Sequence, residues 1–173
     1  MILSFDLSTS CCGVTKLDEQ KKIVLCEALN FNNKKHFPTF FSKVQRMENY
    51  IKDLKTQYKI DEIAIEAPLM NFKKGQSNMK IIGLLLRFNG IISWLVYSIF
   101  EKEPHMISAT SARKKIGISI PKGQNAKKYV MKHLLQYDPE FSRLVQFTKH
   151  GNPKPSNYDQ MDSYVIGKSF LTK

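Results

Sequence analysis

The sequence predicts one mixed α/β domain, a single sheet covered by helices, spanning residues 1–173. Residues 1–31 read as three short strands joined by tight turns. A helix-periodic segment comes next, and beyond it strand-like and helix-like segments alternate, as in a sheet with helices on its faces. A chain of 173 residues can bury one core of its own. No repeat, low-complexity tract or interdomain linker divides it.

In order along the chain, residues 1–6 form the first strand, where the run Ile2-Leu3-Ser4-Phe5 closes on Asp6. Residues 13–17 and 23–31 form the second and third, with Asp18-Glu19-Gln20 as a polar turn between them and Cys11 and Cys12 packed in the turn before. A polar link over 31–36 leads to Phe40, Val44, Met47, Ile51 and Leu54, which recur at helical spacing behind Pro38. Residues 60–66 return to strand, and Ile63-Ala64-Ile65 closes on Glu66. A loop over 71–76 precedes a long helix over 77–100. A short strand at 104–108 follows, and Ser108 caps a helix over 110–116. The loop 117–124 carries Pro121, Lys122 and Gly123. Residues 125–136 read as a helix with Val130, Met131, Leu134 and Leu135 inward. Two prolines and a glycine make 148–156 a loop, and 158–170 is the closing helix.

Composition narrows the function. At 42% hydrophobic and 24% charged the chain is that of an ordinary soluble globular protein. Its formal net charge of +12 points to a polyanion, nucleic acid first. Of the 27 basic residues 23 are Lys and 4 are Arg, so most are flexible point charges suited to phosphate rather than to reading base edges. Cys11, Cys12 and Cys26 are odd in number and lack C-x-x-C spacing, which argues against a disulfide framework and against zinc, and for a reducing, cytosol-like compartment. The N-terminus enters a strand at once without a charged leader, so no signal peptide is expected. Residues 81–100 are apolar and about long enough to cross a membrane. Arg87 and Asn89 sit near their middle, and a central Arg costs about 2.5–3.5 kcal/mol on insertion. The expectation is a helix buried in the domain or in a dimer interface, with no membrane partner.

Four carboxylates carry the chemistry. Asp6 and Glu66 close strands, where open α/β sheets place their sites. Asp159 and Asp162 stand three apart and share one face of the closing helix. Alone, Asp6 suits a turn and the pair 159/162 suits a helix N-terminus; the four together make the case. Converging carboxylates repel, and burying them is costly without compensation. Mg²⁺ or Mn²⁺ would supply it, since hard cations prefer carboxylate oxygen. Two such ions about 3.5–4 Å apart can activate water and stabilise a leaving oxygen in phosphodiester cleavage.

The strand Ile2-Leu3-Ser4-Phe5-Asp6, the strand Ile63-Ala64-Ile65-Glu66 before a long helix, and Asp159-Gln160-Met161-Asp162-Ser163 on a late helix together resemble the RuvC family of Holliday-junction resolvases, within the ribonuclease H-like fold. The spacing matches over nearly the whole chain. The resemblance implies a mixed sheet flanked by helices and a homodimer that introduces paired nicks across a four-way junction. It also implies Mg²⁺, two ions per site with Mn²⁺ able to substitute, held by Asp6, Glu66, Asp159 and Asp162. The helix over 77–100 would be the dimerisation element. The high Lys and Asn content and compact form resemble bacteriophage members, which would work in the host cytoplasm. The chain departs from many cellular members in having Leu7-Ser8-Thr9-Ser10 where they have Pro-Gly after the first Asp. Asp-x-Ser-Thr is also similar to actin-like ATPases and tRNA-threonylcarbamoylation proteins, but a second glycine-rich phosphate loop is lacking and 173 residues are too few for their duplicated domain. The alternatives are a broader branched-DNA or RNA–DNA hybrid nuclease, a junction-binding protein whose acids are structural, and nucleotide binding on the 8–10 hairpin.

Three clusters would face DNA. Phe72, Lys73 and Lys74 follow Glu66 closely, Phe72 to stack on an unpaired base and the lysines to meet phosphates. Arg113, Lys114, Lys115, Lys122, Lys127 and Lys128 form the second, near the helix opened by Asn125. Lys149, His150 and Lys154 form the third; His150 could assist proton transfer or product release, although a lone loop His is more often incidental. Any single lysine is better explained by solubility; the clusters carry the reading.

Overall fold

Strand alternation decides which face of the sheet each residue serves. In the computed structural model, which describes residues 1–68 and 79–172, five strands order as β3-β2-β1-β4-β5. They are β1 (Ile2–Asp6), β2 (Cys11–Leu17), β3 (Ile23–Asn30), β4 (Glu62–Glu66) and β5 (His105–Ile107). β1–β2 and β2–β3 are antiparallel, whereas β1–β4 and β4–β5 are parallel, so the sheet is mixed as predicted. The helices are α1 (Phe40–Gln57), α2 (Met79–Phe100), α3 (Ala109–Lys115), α4 (Ala126–Tyr137), α5 (Pro139–Ser142) and α6 (Ser156–Leu171).

Two cores sandwich the sheet. Leu3, Phe5, Cys12, Val14, Ile63 and Ile65 point to one face, where Met47, Ile51 and Leu54 of α1 and Phe88, Ile92 and Val96 of α2 cover them. Ile2, Leu17 and Ala64 point to the other, under Met161, Val165 and Ile166 of α6 with α3, α4 and α5 behind. By the same alternation Asp6 and Glu66 lie on the α6 side. α6 rests on backbone there: a Cβ on Gly13 would stand 1.8 Å from the Asp159 carbonyl oxygen, and one on Gly167 2.5 Å from Ser4 Oγ. Between them Ser4 Oγ donates to the Ser163 carbonyl at 2.8 Å, and Thr15 Oγ1 bonds Ser163 Oγ at 2.8 Å.

Several boundaries differ from the expectations. β2 begins at Cys11, and Cys11 and Cys12 are strand residues, because Ser8 Oγ accepts from the amides of Ser10 and Cys11 at 3.2 Å and closes the turn earlier. β4 starts at Glu62 rather than residue 60. Thr39, one residue after Pro38, caps α1 through a reciprocal bond with Ser42. α5 went unpredicted, since four residues show no periodicity; Asp138 caps it, accepting from Phe141 N at 3.1 Å, and Pro139 opens it. α6 opens at Ser156, before the predicted residue 158. The expected burial of the long helix holds for one side only: Phe88, Asn89, Ile92, Leu95, Val96 and Phe100 are inside, while Met79, Leu86, Trp94 and Tyr97 are open. By length and composition this helix is apolar enough to cross a membrane. The 71–76 loop, with Phe72, Lys73 and Lys74, lies outside the described residues.

Candidate metal and nucleic-acid site

β1 and β4 run side by side in parallel, with Phe5 opposite Ile65, so the next residue of each, Asp6 and Glu66, ends up on adjacent strand termini. Asp162 comes to them from α6. One carboxylate oxygen from each of Asp6, Glu66 and Asp162 lies within 4.8 Å of the others. Asp159, one turn earlier on α6, stands outside this trio. Its backbone covers Gly13, and the Cys11 thiol donates to its carboxylate.

The charges are not evenly compensated. Asp162 is 4% exposed and doubly paired, with Arg113 Nη2 at 3.2 Å from Oδ1 and Lys127 Nζ at 2.9 Å from Oδ2. Asp6 and Glu66 make no ion pair among the described residues. Burial pushes the Asp6 carboxyl well above the usual carboxylate range, reinforced by Glu66 and Asp162 and opposed by Lys127. Burial, then Asp162, pushes Glu66 up to about 7 against the pull of Arg113 and Lys127. Asp159 is raised by burial despite the Cys11 bond. Burial lowers the Lys127 ammonium, but Asp162, Asp6 and Asp159 together outweigh it and the net shift is upward. Such a site gathers negative charge and holds protons in its place. All three donors are carboxylates, which fits a divalent cation of the Mg²⁺ or Mn²⁺ kind and not a thiophilic one.

Around the trio the predicted basic residues separate. Arg113, at the end of α3, and Lys127, in the first turn of α4, are drawn onto Asp162. Lys114, Lys115, Lys122 and Lys128 are exposed on the neighbouring helix ends and loop. Lys149 and His150 are exposed in the turn before α6, and no hydrogen bond joins His150 to the acids among the described residues. Sequence reasoning passed over Asn89, whose Nδ2 donates to the Glu66 carbonyl at 3.4 Å and ties the strand end to α2. A buried amide inside an apolar helix was its signal. It also passed over the Cys11–Asp159 contact, which depends on where the turn closes.

The fold is ribonuclease H-like, a mixed sheet flanked by helices, and here carboxylates stand at the ends of its central parallel strands. Within it the chain shares its fold with junction resolvases of known structure. RuvC from Thermus thermophilus, in complex with a Holliday junction substrate, aligns with a TM-score of 0.65 at 10% identity, over 97% of this chain and 90% of that one. Another Thermus thermophilus RuvC structure gives 0.60 at 10% identity, over 98% and 93%. The yeast mitochondrial Holliday junction resolvase Ydc2 gives 0.60 at 14% identity, over 99% and 77%. No protein-family model matches the sequence. No curated protein matches it significantly. The fold that the acid spacing implied is the fold found.

Proposed function

We propose that this protein is a metal-dependent endonuclease that nicks branched DNA, with the four-way junction as its principal substrate. The observation that carries the reading is the convergence of Asp6, Glu66 and Asp162 within 4.8 Å in a chain of net charge +12. Acids gathered inside a basic protein serve a polyanion when cations join the two. The resemblance to resolvases in fold selects branched DNA among polyanions.

Asp6, Glu66 and Asp162 would hold Mg²⁺, with Asp159 completing the set. When bound, two such ions activate water and stabilise the leaving oxygen of the phosphodiester. The chain's own residues do the rest. Arg113 and Lys127 fix the Asp162 carboxylate between two cations, so its oxygens are set before any ligand arrives. Lys127 is 54% exposed and can swing to a phosphate when a metal relieves it. Lys114, Lys115, Lys122 and Lys149 would neutralise phosphates farther along the arms, and Phe72, Lys73 and Lys74 would contact the branch. The free Cys11, Cys12 and Cys26 suit a reducing compartment.

The partner of a paired nick is a second copy of the chain. Met79, Gly83, Leu86, Gly90, Trp94 and Tyr97 recur every three or four residues along the outer face of α2, and Trp94 is 64% exposed. A Cβ built on Gly83 or Gly90 would meet nothing within 4 Å, so the stripe is flat enough for a close helix neighbour. A twofold across it would cover this face and present two acid sites to two strands.

Substrate competition tests the specificity. Nicking of a labelled four-way junction under Mg²⁺ should resist excess linear duplex and RNA–DNA hybrid and yield only to excess junction. Equal competition by the hybrid would make this a hybrid nuclease instead.

A further inference from the structure

Residues 28–47 contain no carboxylate but carry Lys34, Lys35, Lys43 and Arg46. Within that acid-free stretch Phe41 is 61% exposed on the first turn of α1. Its ring ends an aromatic ladder rooted in the core. Phe88 is fully buried, Phe40 packs edge-on against it with centroids 5.8 Å apart, and Phe41 packs edge-on against Phe40 at 5.4 Å. The Arg87 guanidinium lies over both outer rings, 4.5 Å from the Phe40 centroid and 5.1 Å from that of Phe41. Phe41 is therefore packed edge-on against Phe40 with a cation beside it, yet open to solvent.

Its position is not incidental to the acid site. Lys43 Nζ donates to the Thr9 carbonyl at 2.6 Å, three residues beyond Asp6. Arg87 stands two residues before Asn89, which binds the Glu66 carbonyl. The ladder thus shares the carboxyl edge of β1 and β4 with the acids but lies across the sheet from Arg113 and Lys127, whose helices cover the other face.

We propose that Phe41, backed by Arg87, is a second strand-binding platform that stacks one unpaired base of branched DNA, while Lys34 and Lys35 meet the flanking phosphates. An exposed ring in a positive field suits a base face, since any base offers a π-surface and the guanidinium adds cation–π attraction. Paired bases hide their faces within the stack, so the platform takes a strand opened at the branch. The inference rests on the reading of this protein as a branched-DNA enzyme.

The test is a titration of the full chain, without divalent metal, onto a four-way junction carrying 2-aminopurine at the branch, with linear duplex beside it. Wild type should change the 2-aminopurine fluorescence. Phe41→Leu, which keeps apolar packing and removes the π-face, should weaken junction affinity about 5- to 150-fold, the equivalent of 1–3 kcal/mol per stacked base. Its melting temperature and duplex affinity should match wild type, and Phe41→Trp should restore junction binding. Junction affinity unchanged in Phe41→Leu, or a loss shared by linear duplex or by Phe41→Trp, overturns the platform alone. Wild type that binds no junction overturns the proposed function and the platform with it.

Discussion

Among the described residues Asp6 and Glu66 form no ion pair, whereas Asp162 has two cationic partners, and this asymmetry makes the site sensitive to pH and metal. Both unpaired acids have carboxyls raised by burial first and by acidic neighbours second. The folded chain therefore holds protons that the unfolded chain releases. That contribution to stability is full below the ordinary carboxylate range and is lost as pH rises through about 7, the value for Glu66. The metal-free protein should melt lower at pH 8 than at pH 5, and Mg²⁺ should raise its melting temperature more at pH 8. Glu66→Gln should flatten the profile and stabilise the metal-free form at pH 8 by about 1–3 kcal/mol, at 1.36 kcal/mol per pKa unit removed. A wild-type melting temperature independent of pH and Mg²⁺ would contradict this account of the acids. Arg113 and Lys127 answer differently to truncation. Arg113 is 13% exposed, so Arg113→Ala leaves Asp162 buried with one partner and should cost about 3 kcal/mol in thermal unfolding. Lys127→Ala, at an exposed position, should cost about 1 kcal/mol or less.

At the scale of elements, the docking of α6 on β1 and β2 brings Asp162 to Asp6. Gly13, opposite Asp6 in the β1–β2 register, has no room for a side chain beneath the Asp159 carbonyl. Gly13→Val should lift α6, lower stability by about 4 kcal/mol or more and abolish nicking, measured by denaturant unfolding and junction cleavage. On α2, Leu86→Glu should give a monomer by sedimentation that keeps its melting profile but no longer makes paired nicks; a dimer that survives would exclude this face. These elements also mark how far the sequence could be read. Asp6 and Glu66 were legible because each ends an apolar run, but it is the parallel register of Phe5 with Ile65 that puts them on one face. The helix with Asp159 and Asp162 was legible from spacing, but not that Asp162 joins the trio while Asp159 turns to Cys11. That choice depends on the rotation of α6, set by Gly13, Ser163 and Gly167. Nor could spacing show Arg113 on Asp162, a bond between residues 49 apart. Basic residues read from sequence as facing DNA serve partly to neutralise the site itself.

For the whole molecule, the net charge of +12 and the two-sided placement of its cations predict binding dominated by phosphate. If about four phosphates are neutralised, junction affinity should fall about 100-fold between 50 and 200 mM salt, read by gel shift. A flat response would remove phosphate contact as the main attraction. The mixed sheet then acts as a rigid frame, with acids on the α6 side of its carboxyl edge and an aromatic ladder on the α1–α2 side. The most direct measurement is nicking of an end-labelled, mobile four-way junction under Mg²⁺ by wild type and Asp6→Asn. Paired symmetrical nicks near the branch, absent in Asp6→Asn while junction binding is retained, are the predicted result. A junction bound but left intact by wild type under both Mg²⁺ and Mn²⁺ would contradict the assignment of Asp6, Glu66 and Asp162 as the centre of a nuclease.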